Sequence, residues 1–392
     1  MDLSFTPQEE AFRSEIRAWL AANPPQSDPE VFSHDLLTRV TAGRRWQRRM
    51  CDARWVGVSW PTEHGGRGAT LTEEIIYNQE LARAGAPELV NIVGINMLGP
   101  LLVQYGRPEQ QRRFLPGILT GDDIWCLGMS EPNAGSDLAS LKTRAVLDGD
   151  EFVISGEKIW SSYASYSANC FLVARTDPDL PRHKGLSCLA VPMDTPGIQI
   201  RPLIQIHGDQ EFCQLYFDQV RVPRDALIGE MNRGWEVVLA TLHHERSTYA
   251  LSHQVVLKQY VSGMLTLARQ AEAQGRRGIS DPVVRQKIAQ AMIEVEVLHY
   301  YSLKRIGDIQ KNGLGAESSV DKLYWTEMNQ RLQETAMEIL GPFSQLTSGS
   351  DLAPLDGRWI HDFLHSKADT IYSGTSEIQR NTIADMILGL PR

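Results

Sequence analysis

The stretch WCLGMSEPNAGSDLASLKT, residues 125–143, marks the point at which the chain changes from helical to extended patterns. Its centre is rich in glycine, serine and asparagine, and such a turn presents backbone N–H groups and hydroxyls that suit a phosphate or a polar heterocycle. On its own, the composition is more typical of a plain polar loop. The sequence on either side shows how the chain is organised.

Upstream of this stretch the pattern is mostly helical. Thr6, Pro7 and Glu9 form a helix start, with Thr6 as the cap and Glu9 completing a capping box. Further helices are predicted over residues 70–84 and 109–115, separated by turns rich in glycine and proline. Residues 1–120 are therefore expected to form an N-terminal α-helical domain.

Downstream of it, short runs of strand character are broken by turn signals. Asp148-Gly149 separates residues 143–146 from residues 152–154, which predicts a β-hairpin. Residues 186–191 and 215–222 have the same character. A central β domain over residues 121–230 is expected.

Helical periodicity then returns in long segments with few helix breakers. Four helices are predicted, over residues 235–274, 282–312, 319–340 and 376–388. They suggest a helical bundle over residues 231–392. The predicted order is thus α, then β, then α, an α+β chain.

Composition narrows the function classes. The 392 residues are 42% hydrophobic with a net charge of -9, and the basic residues are spread along the chain, so a nucleic-acid-binding role is not indicated. Five widely spaced cysteines favour neither a disulfide framework nor a zinc site. The first residues, MDLSFTPQEEAF, are acidic where a signal peptide is basic, and no membrane span is evident, so a cytoplasmic protein is expected.

Three motifs, in order along the chain, carry a family resemblance. They are SEPNAGSD at residues 130–137, KIWSS at residues 158–162 and GTSEIQRN at residues 374–381. Together they resemble the acyl-CoA dehydrogenase family over nearly the whole chain. The resemblance implies a fold with an N-terminal helical domain, a central β-barrel and a C-terminal four-helix bundle.

The resemblance implies FAD as the cofactor. Residues 127–136 are similar to the strand and loop that cover the flavin ring and its pyrophosphate. The implied cofactor-binding residues are Leu127, Met129, Ser130, Ser136, Trp160, Ser162, Thr375 and Glu377. Taken singly, Trp160 is more typical of core packing, and Ser130 and Ser162 of local hydrogen bonds within strands.

The implied reaction is the α,β-dehydrogenation of an acyl-CoA thioester to the trans-2-enoyl-CoA. A base removes the α-proton, flavin N5 accepts the β-hydride, and hydrogen bonds to the carbonyl oxygen stabilise the enolate. Many family members carry the glutamate base at the position of Ser373, within ADTIYSGTSEIQRNTIADMILGL at residues 368–390. A serine hydroxyl has no useful basicity near neutral pH, so the base lies elsewhere or the site is inactive.

The segment GWEVVLATLHHERSTYALS, residues 234–252, offers a base. Val238, Leu242, Glu245 and Tyr249 form one helical stripe in which the glutamate interrupts an apolar face. Periodicity alone favours a glutamate paired with a neighbouring helix or lying on a half-buried face. Isovaleryl-CoA and long-chain acyl-CoA dehydrogenases, however, carry their base on this helix in a Glu-Arg pair that HHERSTYA resembles, so Glu245 is the predicted catalytic residue.

Six residues are implied to contact the substrate. They are Ser136, His243, Arg246, Tyr372, Ser373 and Gly374. Arg246 is similar to the family arginine that helps keep the pocket carboxylate ionised, and a bundle salt bridge is its structural alternative. The adjacent His243 and His244 point to different helix faces, which is more typical of a structural role than of a metal site, and no metal is predicted.

Two motifs that reach the neighbouring subunit's flavin in homotetrameric members are altered. An Arg-x-x-Phe-Gly stretch is replaced by QGRRGISDPVV at residues 274–284, and a Gln-x-x-Gly-Gly stretch by MEILGPFSQL at residues 337–346. Pro342 lacks a backbone donor, so that contact cannot be unchanged, although Arg276 or Arg277 can substitute for the lost arginine. In this respect the chain is similar to bacterial heteromeric acyl-CoA dehydrogenases, including those that act on steroid side chains.

The expected partners are an acyl-CoA substrate, an electron-transfer flavoprotein as electron acceptor, and further subunits in a homo- or hetero-oligomer built as a dimer of dimers. Two other functions stay open at this point. One is a subunit that mainly completes a partner's flavin site. The other keeps the flavin and changes the chemistry, as in an oxidase or an enzyme acting on nitroalkanes or carrier-bound acyl groups.

Overall fold

The computed structural model describes residues 5–245, 253–313 and 315–391, without the side chains of residues 242–245, 310 and 312. Where described, the chain divides into two compact units. One unit comprises Ala18–Thr70 and Gly85–Glu245, and the other comprises Met1–Arg17, Leu71–Ala84 and Arg246–Arg392.

The first part of the chain is helical, as predicted. Its α-helices are α1 (Pro7–Ala22), α2 (Leu36–Asp52), α3 (Leu71–Arg83), α4 (Gly99–Tyr105) and α5 (Pro108–Thr120). The capping box is confirmed, because the Thr6 N–H donates to Glu9 Oε2 at 2.7 Å and the Glu9 N–H to Thr6 Oγ1 at 3.3 Å. Helix α2, capped by Asp35 through the N–H of Thr38 at 2.8 Å, was not predicted.

The central region folds into one sheet of eight strands within the described residues. They are β1 (Trp125–Gly128), β2 (Arg144–Asp148), β3 (Glu151–Ser162), β4 (Asn169–Arg175), β5 (Leu186–Pro192), β6 (Ile198–Pro202), β7 (Phe212–Pro223) and β8 (Leu227–Ile228). The strand order is β6-β7-β3-β2-β4-β5-β8, and β1 pairs with β4. The predicted hairpin is confirmed, with Asp148 opposite Glu151.

Alternate residues along these strands fill one core. Phe152 and Ile154 on β3, Leu172 on β4 and Leu215 on β7 are all fully buried there. This period of two follows from the pleat of a strand, which sends successive side chains to opposite faces.

The last part of the chain is helical again. Its α-helices are α6 (Gly234–Glu245), α7 (His253–Ala273), α8 (Pro282–Asn312), α9 (Ser318–Leu340), α10 (Arg358–Asp369) and α11 (Ser376–Thr382). Helices α7 to α10 share a core that includes Met264, Leu332 and Trp359. Within the described residues, no helix is long and apolar enough to cross a bilayer.

One of the four helix predictions for this region needs correction, and one helix was missed. The helix predicted over residues 376–388 is a short α-helix followed by a π-helical turn, Ile383–Ile387. Helix α10 was not predicted, although Trp359 anchors it in the bundle core. The predicted helix over residues 235–274 corresponds to α6 and α7, on either side of residues that lie outside the described ranges.

Candidate active site

Two neighbouring segments of the sheet carry the residues predicted to face the flavin ring. Leu127 lies in β1, Met129 and Ser130 follow that strand directly, and β3 ends with Trp160, Ser161 and Ser162. The Ile159 N–H donates to the Ser130 carbonyl at 2.9 Å, which joins the two segments. The structure therefore brings these candidates together within one unit, with Met129 buried and Ser130 and Ser162 half-buried.

Trp160 lies where the pairing of β3 with β7 is interrupted. The register shifts between Lys158 and Ser161, and Trp160 has a φ of 63°, a value that is unusual and strained for a large residue. A β-bulge of this kind re-aims a side chain away from the regular pleat. The indole is 56% exposed and makes an edge contact with Phe212 at 6.2 Å between ring centroids. It is therefore not a core tryptophan, and an exposed aromatic face suits a flat ring such as a flavin.

Ser136 lies on the exposed loop between β1 and β2. The base of this loop is held by Arg175, whose guanidinium donates to the Ala139 carbonyl at 2.7 Å and the Leu141 carbonyl at 3.4 Å. An exposed ion pair of 3.0 Å joins Asp137 to Arg182. The loop is thus anchored from inside while Ser136 faces outward, as a phosphate contact requires.

The predicted substrate turn, Tyr372 to Gly374, belongs to the other unit. Ser373 has a φ of 54° and Gly374 a φ of 90°, so two consecutive residues adopt the left-handed region. The buried Gln379 stabilises this geometry, because its side-chain amide donates to the Ser373 carbonyl at 3.0 Å and the Gly374 carbonyl at 3.1 Å. Thr375 then caps α11 by accepting the Ile378 N–H at 3.2 Å.

Asp369, at the end of α10, supports the same turn. Its carboxylate accepts the Tyr372 hydroxyl at 2.8 Å and the Asn329 amide at 2.7 Å. Lys322 donates to the Asp369 carbonyl at 2.5 Å, and its ammonium lies 5.4 Å from the centre of the Tyr372 ring. Burial raises the pKa of Asp369 above its usual range. Tyr372 is therefore fixed by a buried polar network, while its ring remains 39% exposed.

A polar cavity of about 450 Å³ adjoins this turn, and both Thr375 and Glu377 line it. Its volume lies in the range of small-molecule sites. Ser376 also belongs to the lining, and its hydroxyl is buried with no hydrogen-bond partner among the described residues. The volume and the polar lining of this cavity suit the polar part of a cofactor.

The predicted catalytic glutamate lies at the edge of the described chain. Helix α6 is described as far as Glu245, but the side chains of His243 and Glu245 and the whole of Arg246 lie outside the described residues. Upstream in α6, Val237, Val238 and Thr241 are buried. Helical spacing of seven and four residues places position 245 on the same side of the helix as Val238 and Thr241.

Comparisons with known proteins agree with this architecture. Three family models match: the acyl-CoA dehydrogenase N-terminal domain at residues 6–122, the middle domain at residues 126–220 and the C-terminal domain at residues 232–388. The acyl-CoA dehydrogenase IpdE1 of Mycobacterium tuberculosis is 39% identical over 395 residues, which is 98% of each chain. This chain belongs to the acyl-CoA dehydrogenase family.

Other similar proteins cover the full chain as well. The acyl-CoA dehydrogenase FadE26 of M. tuberculosis is 33% identical over 407 residues, 100% of this chain and 99% of the relative. The Tcur3481-Tcur3483 steroid ACAD structure is similar with a TM-score of 0.87 and 32% identity, covering 100% of both chains. The ChsE4-ChsE5 complex from M. tuberculosis has a TM-score of 0.84 and 33% identity, again over 100% of both chains. The α+β fold, FAD as cofactor and acyl-CoA dehydrogenation as activity follow from membership of this family.

The structure also shows what replaces the altered motifs of this acyl-CoA dehydrogenase. Arg276 donates to the Ile339 carbonyl at 3.3 Å and the Leu340 carbonyl at 3.1 Å, and it lies over the Phe343 ring at 4.8 Å. Arg277 pairs with Asp281 at 2.8 Å. Both arginines are therefore engaged within their own chain, at the start of α8 and the end of α9.

Three supporting residues were missed by the sequence analysis, namely Lys158, Asp369 and Gln379. Asp369 and Gln379 carried no signal, because an aspartate or a glutamine in a helical segment looks the same in the sequence whether it is buried or exposed. Lys158 had a weak signal, since a charged residue inside the otherwise strand-like segment FVISGEKIWSS is unusual for a buried position.

Proposed function

We propose that this FAD-dependent acyl-CoA dehydrogenase uses Glu245 as its catalytic base and acts on a steroid-derived acyl-CoA. The assignment of Glu245 as the base is supported by the position of residue 245 on α6, on the same side of the helix as the buried Val238 and Thr241. A carboxylate on such a face is seldom found without a partner or a function. Ser373, at the alternative position for the base, has no useful basicity.

The residues proposed to hold FAD belong to two groups. Trp160, Ser130 and Ser162 form the wall for the flavin ring, and the exposed, strained Trp160 supports this most directly. Thr375 and Glu377 line the polar cavity of about 450 Å³, which supports a contact to the polar part of the cofactor. When bound, FAD supplies the acceptor for the two electrons that leave the substrate.

The protein's own share of the reaction is proton removal and charge stabilisation. Glu245 takes the α-proton, which is weakly acidic, so negative charge develops on the thioester carbonyl oxygen. The Gly374 N–H is proposed to hold that oxygen, because the turn that carries it is preorganised by Gln379 rather than formed on binding. Tyr372 and Ser373 line the same end, and Arg246 helps to keep the carboxylate ionised.

The substrate class rests on the similar proteins. Full-length similarity at 32% identity to a protein described as a steroid ACAD supports a polycyclic, steroid-derived acyl group for this chain. Similarity to the ChsE4-ChsE5 complex, together with the locally engaged Arg276 and Arg277, supports assembly with a second, different chain. An electron-transfer flavoprotein as acceptor and a tetrameric dimer of dimers are proposed on family grounds, and the five free cysteines suit the reducing cytoplasm.

Anaerobic mixing tests this proposal. The purified protein, alone and with any co-purifying chain, is mixed with straight-chain, branched and steroid-derived acyl-CoAs, and the flavin absorbance is followed. Rapid bleaching by the steroid thioester, with slow reoxidation in air, is the expected result. Preference for a straight-chain thioester contradicts the proposed substrate class, and fast peroxide production contradicts dehydrogenase activity. If the chain alone is colourless and gains flavin only with a second chain, the flavin site is formed by both chains together.

A further inference from the structure

Lys158 is a fully buried lysine in β3, two residues before Trp160. Its ammonium donates to the Met129 carbonyl and to Glu131 Oε1, both at 2.9 Å. Burial of a lysine is costly and needs complete pairing. The two partners both belong to the segment that follows β1.

Glu131 extends this contact to a third segment. Its carboxylate accepts the Lys142 N–H at 2.7 Å and the Thr143 N–H at 2.8 Å, just before β2. Burial opposes its ionisation, but the Lys158 charge and these N–H donors hold the pKa of Glu131 below its usual value. The ion pair thus ties residues 129–131, residues 142–143 and β3 at one point.

The location of the pair matters because ordinary strand pairing fails there. The β3 register breaks between Lys158 and Ser161, so Trp160 is not aligned by a regular ladder with β7. In the neighbouring segment, β1 ends at Gly128, so Met129 and Ser130 lie beyond the end of that strand. The two segments of the proposed flavin wall are joined instead by the Lys158 contacts and by the single Ile159 to Ser130 backbone bond.

A structural ion pair alone does not account for this arrangement. An apolar pair of similar volume is often at least as stabilising as a buried ion pair. What an apolar side chain cannot do is hold the Met129 carbonyl and thereby fix the backbone of Ser130.

We propose that Lys158 is a positioning residue that, through Glu131 and the Met129 carbonyl, holds Ser130 and Trp160 in place against FAD. The inference rests on the proposed function, since it takes Ser130 and Trp160 as flavin contacts. It assigns Lys158 no contact with the substrate and no proton transfer.

The double variant Lys158→Met/Glu131→Gln tests the proposal against a purely structural role. The single variant Lys158→Met leaves the buried Glu131 carboxylate without its counter-ion, so it is expected to be unstable. The double variant removes both charges and is expected to regain stability, yet to bind FAD at least tenfold more weakly and with altered flavin absorbance bands. Lys142→Met, which removes an exposed lysine, is the control and should match the wild type.

The outcomes separate the two roles. A double variant with wild-type stability, FAD affinity and flavin spectrum overturns the proposal. If the double variant does not fold, Glu131→Asp is used instead. It keeps both charges, but its shorter side chain moves the carboxylate away from the Lys158 ammonium. A folded Glu131→Asp protein with weakened FAD binding supports the positioning role, and unchanged FAD binding and spectrum contradict it.

Hydrogen exchange of the flavin-free protein gives a readout that does not depend on the cofactor. The Ile159 amide and the segment 129–131 should exchange at least tenfold faster in the double variant than in Lys142→Met, and equal rates contradict the proposal. The proposed function fails separately, if wild-type protein binds FAD but no acyl-CoA reduces it. That result leaves the role of Lys158 intact.

Discussion

Removing the Lys158–Glu131 pair should change how stability depends on pH. Burial, only partly offset by Glu131, lowers the pKa of Lys158 from 10.5 to about 8. Above pH 8 the folded protein has lost this proton, while the unfolded chain keeps it until its own pKa of 10.5. Unfolding therefore takes up a proton in this window, and the contribution of Lys158 to the free energy of unfolding rises with pH.

The size of the effect follows from the shift. A pKa difference of this size corresponds to about 3 kcal/mol, most of which develops between pH 8 and pH 10. Urea denaturation, followed by tryptophan fluorescence at pH 7, 8, 9 and 10, compares the wild type with Lys158→Met/Glu131→Gln. Because other titrating groups are common to both proteins, the difference between their unfolding free energies isolates the pair.

Between pH 7 and pH 10, the free energy of unfolding of the wild type should rise by about 2 to 3 kcal/mol relative to that of the double variant. Lys142→Met should show no such trend relative to the wild type, since its side chain is exposed. A difference that stays flat, or that falls as the pH rises, refutes a buried lysine with a lowered pKa.

Three further predictions concern the two halves of the site. Trp160→Gly removes the backbone strain at the positive φ but also raises the conformational entropy of the unfolded chain. These effects oppose each other, so the free energy of unfolding should change by less than about 1 kcal/mol. FAD affinity, measured by fluorescence titration, should fall about tenfold or more in this variant because stacking on the indole is lost. Gln379→Leu leaves the Ser373 and Gly374 carbonyls without their donor, which should cost about 2 kcal/mol in urea denaturation and raise KM for the acyl-CoA. Thr375→Ala removes a helix cap and should cost about 1 kcal/mol by the same assay, whereas Thr375→Ser should behave as wild type.

Local sequence signals were enough for much of the fold. The Thr6 capping box, the Asp148-Gly149 hairpin and helix α3 formed as predicted, because each depends on residues within a few positions. Helix α5 also formed, but it continues to Thr120, beyond the predicted end at residue 115. Helix α10 was missed because the sequence before it is rich in turn residues, and it is stabilised by Trp359 packing into the bundle core. The boundaries of the three domains remain a prediction.

The candidate site was predictable only in part. Motifs led to Trp160, Thr375 and the turn at Ser373, but no motif revealed that the backbone at Trp160 and Ser373 is left-handed. At Trp160 that conformation accompanies a break in the β3 register, and at Ser373 it is held by the side chain of Gln379; hydrophobic periodicity encodes neither. The supporting network of Lys158 was hidden because its partner Glu131 lies 27 residues away in the sequence.

The proposed role of Glu245 as the catalytic base is tested by the variant Glu245→Gln. The amide is nearly isosteric with the carboxylate but cannot take a proton. The variant is predicted to retain FAD with a wild-type spectrum and to lose about 100-fold or more in the rate of anaerobic flavin reduction by its acyl-CoA, in line with general-base contributions of about 10² to 10⁴. Reduction at a near wild-type rate would contradict the assignment.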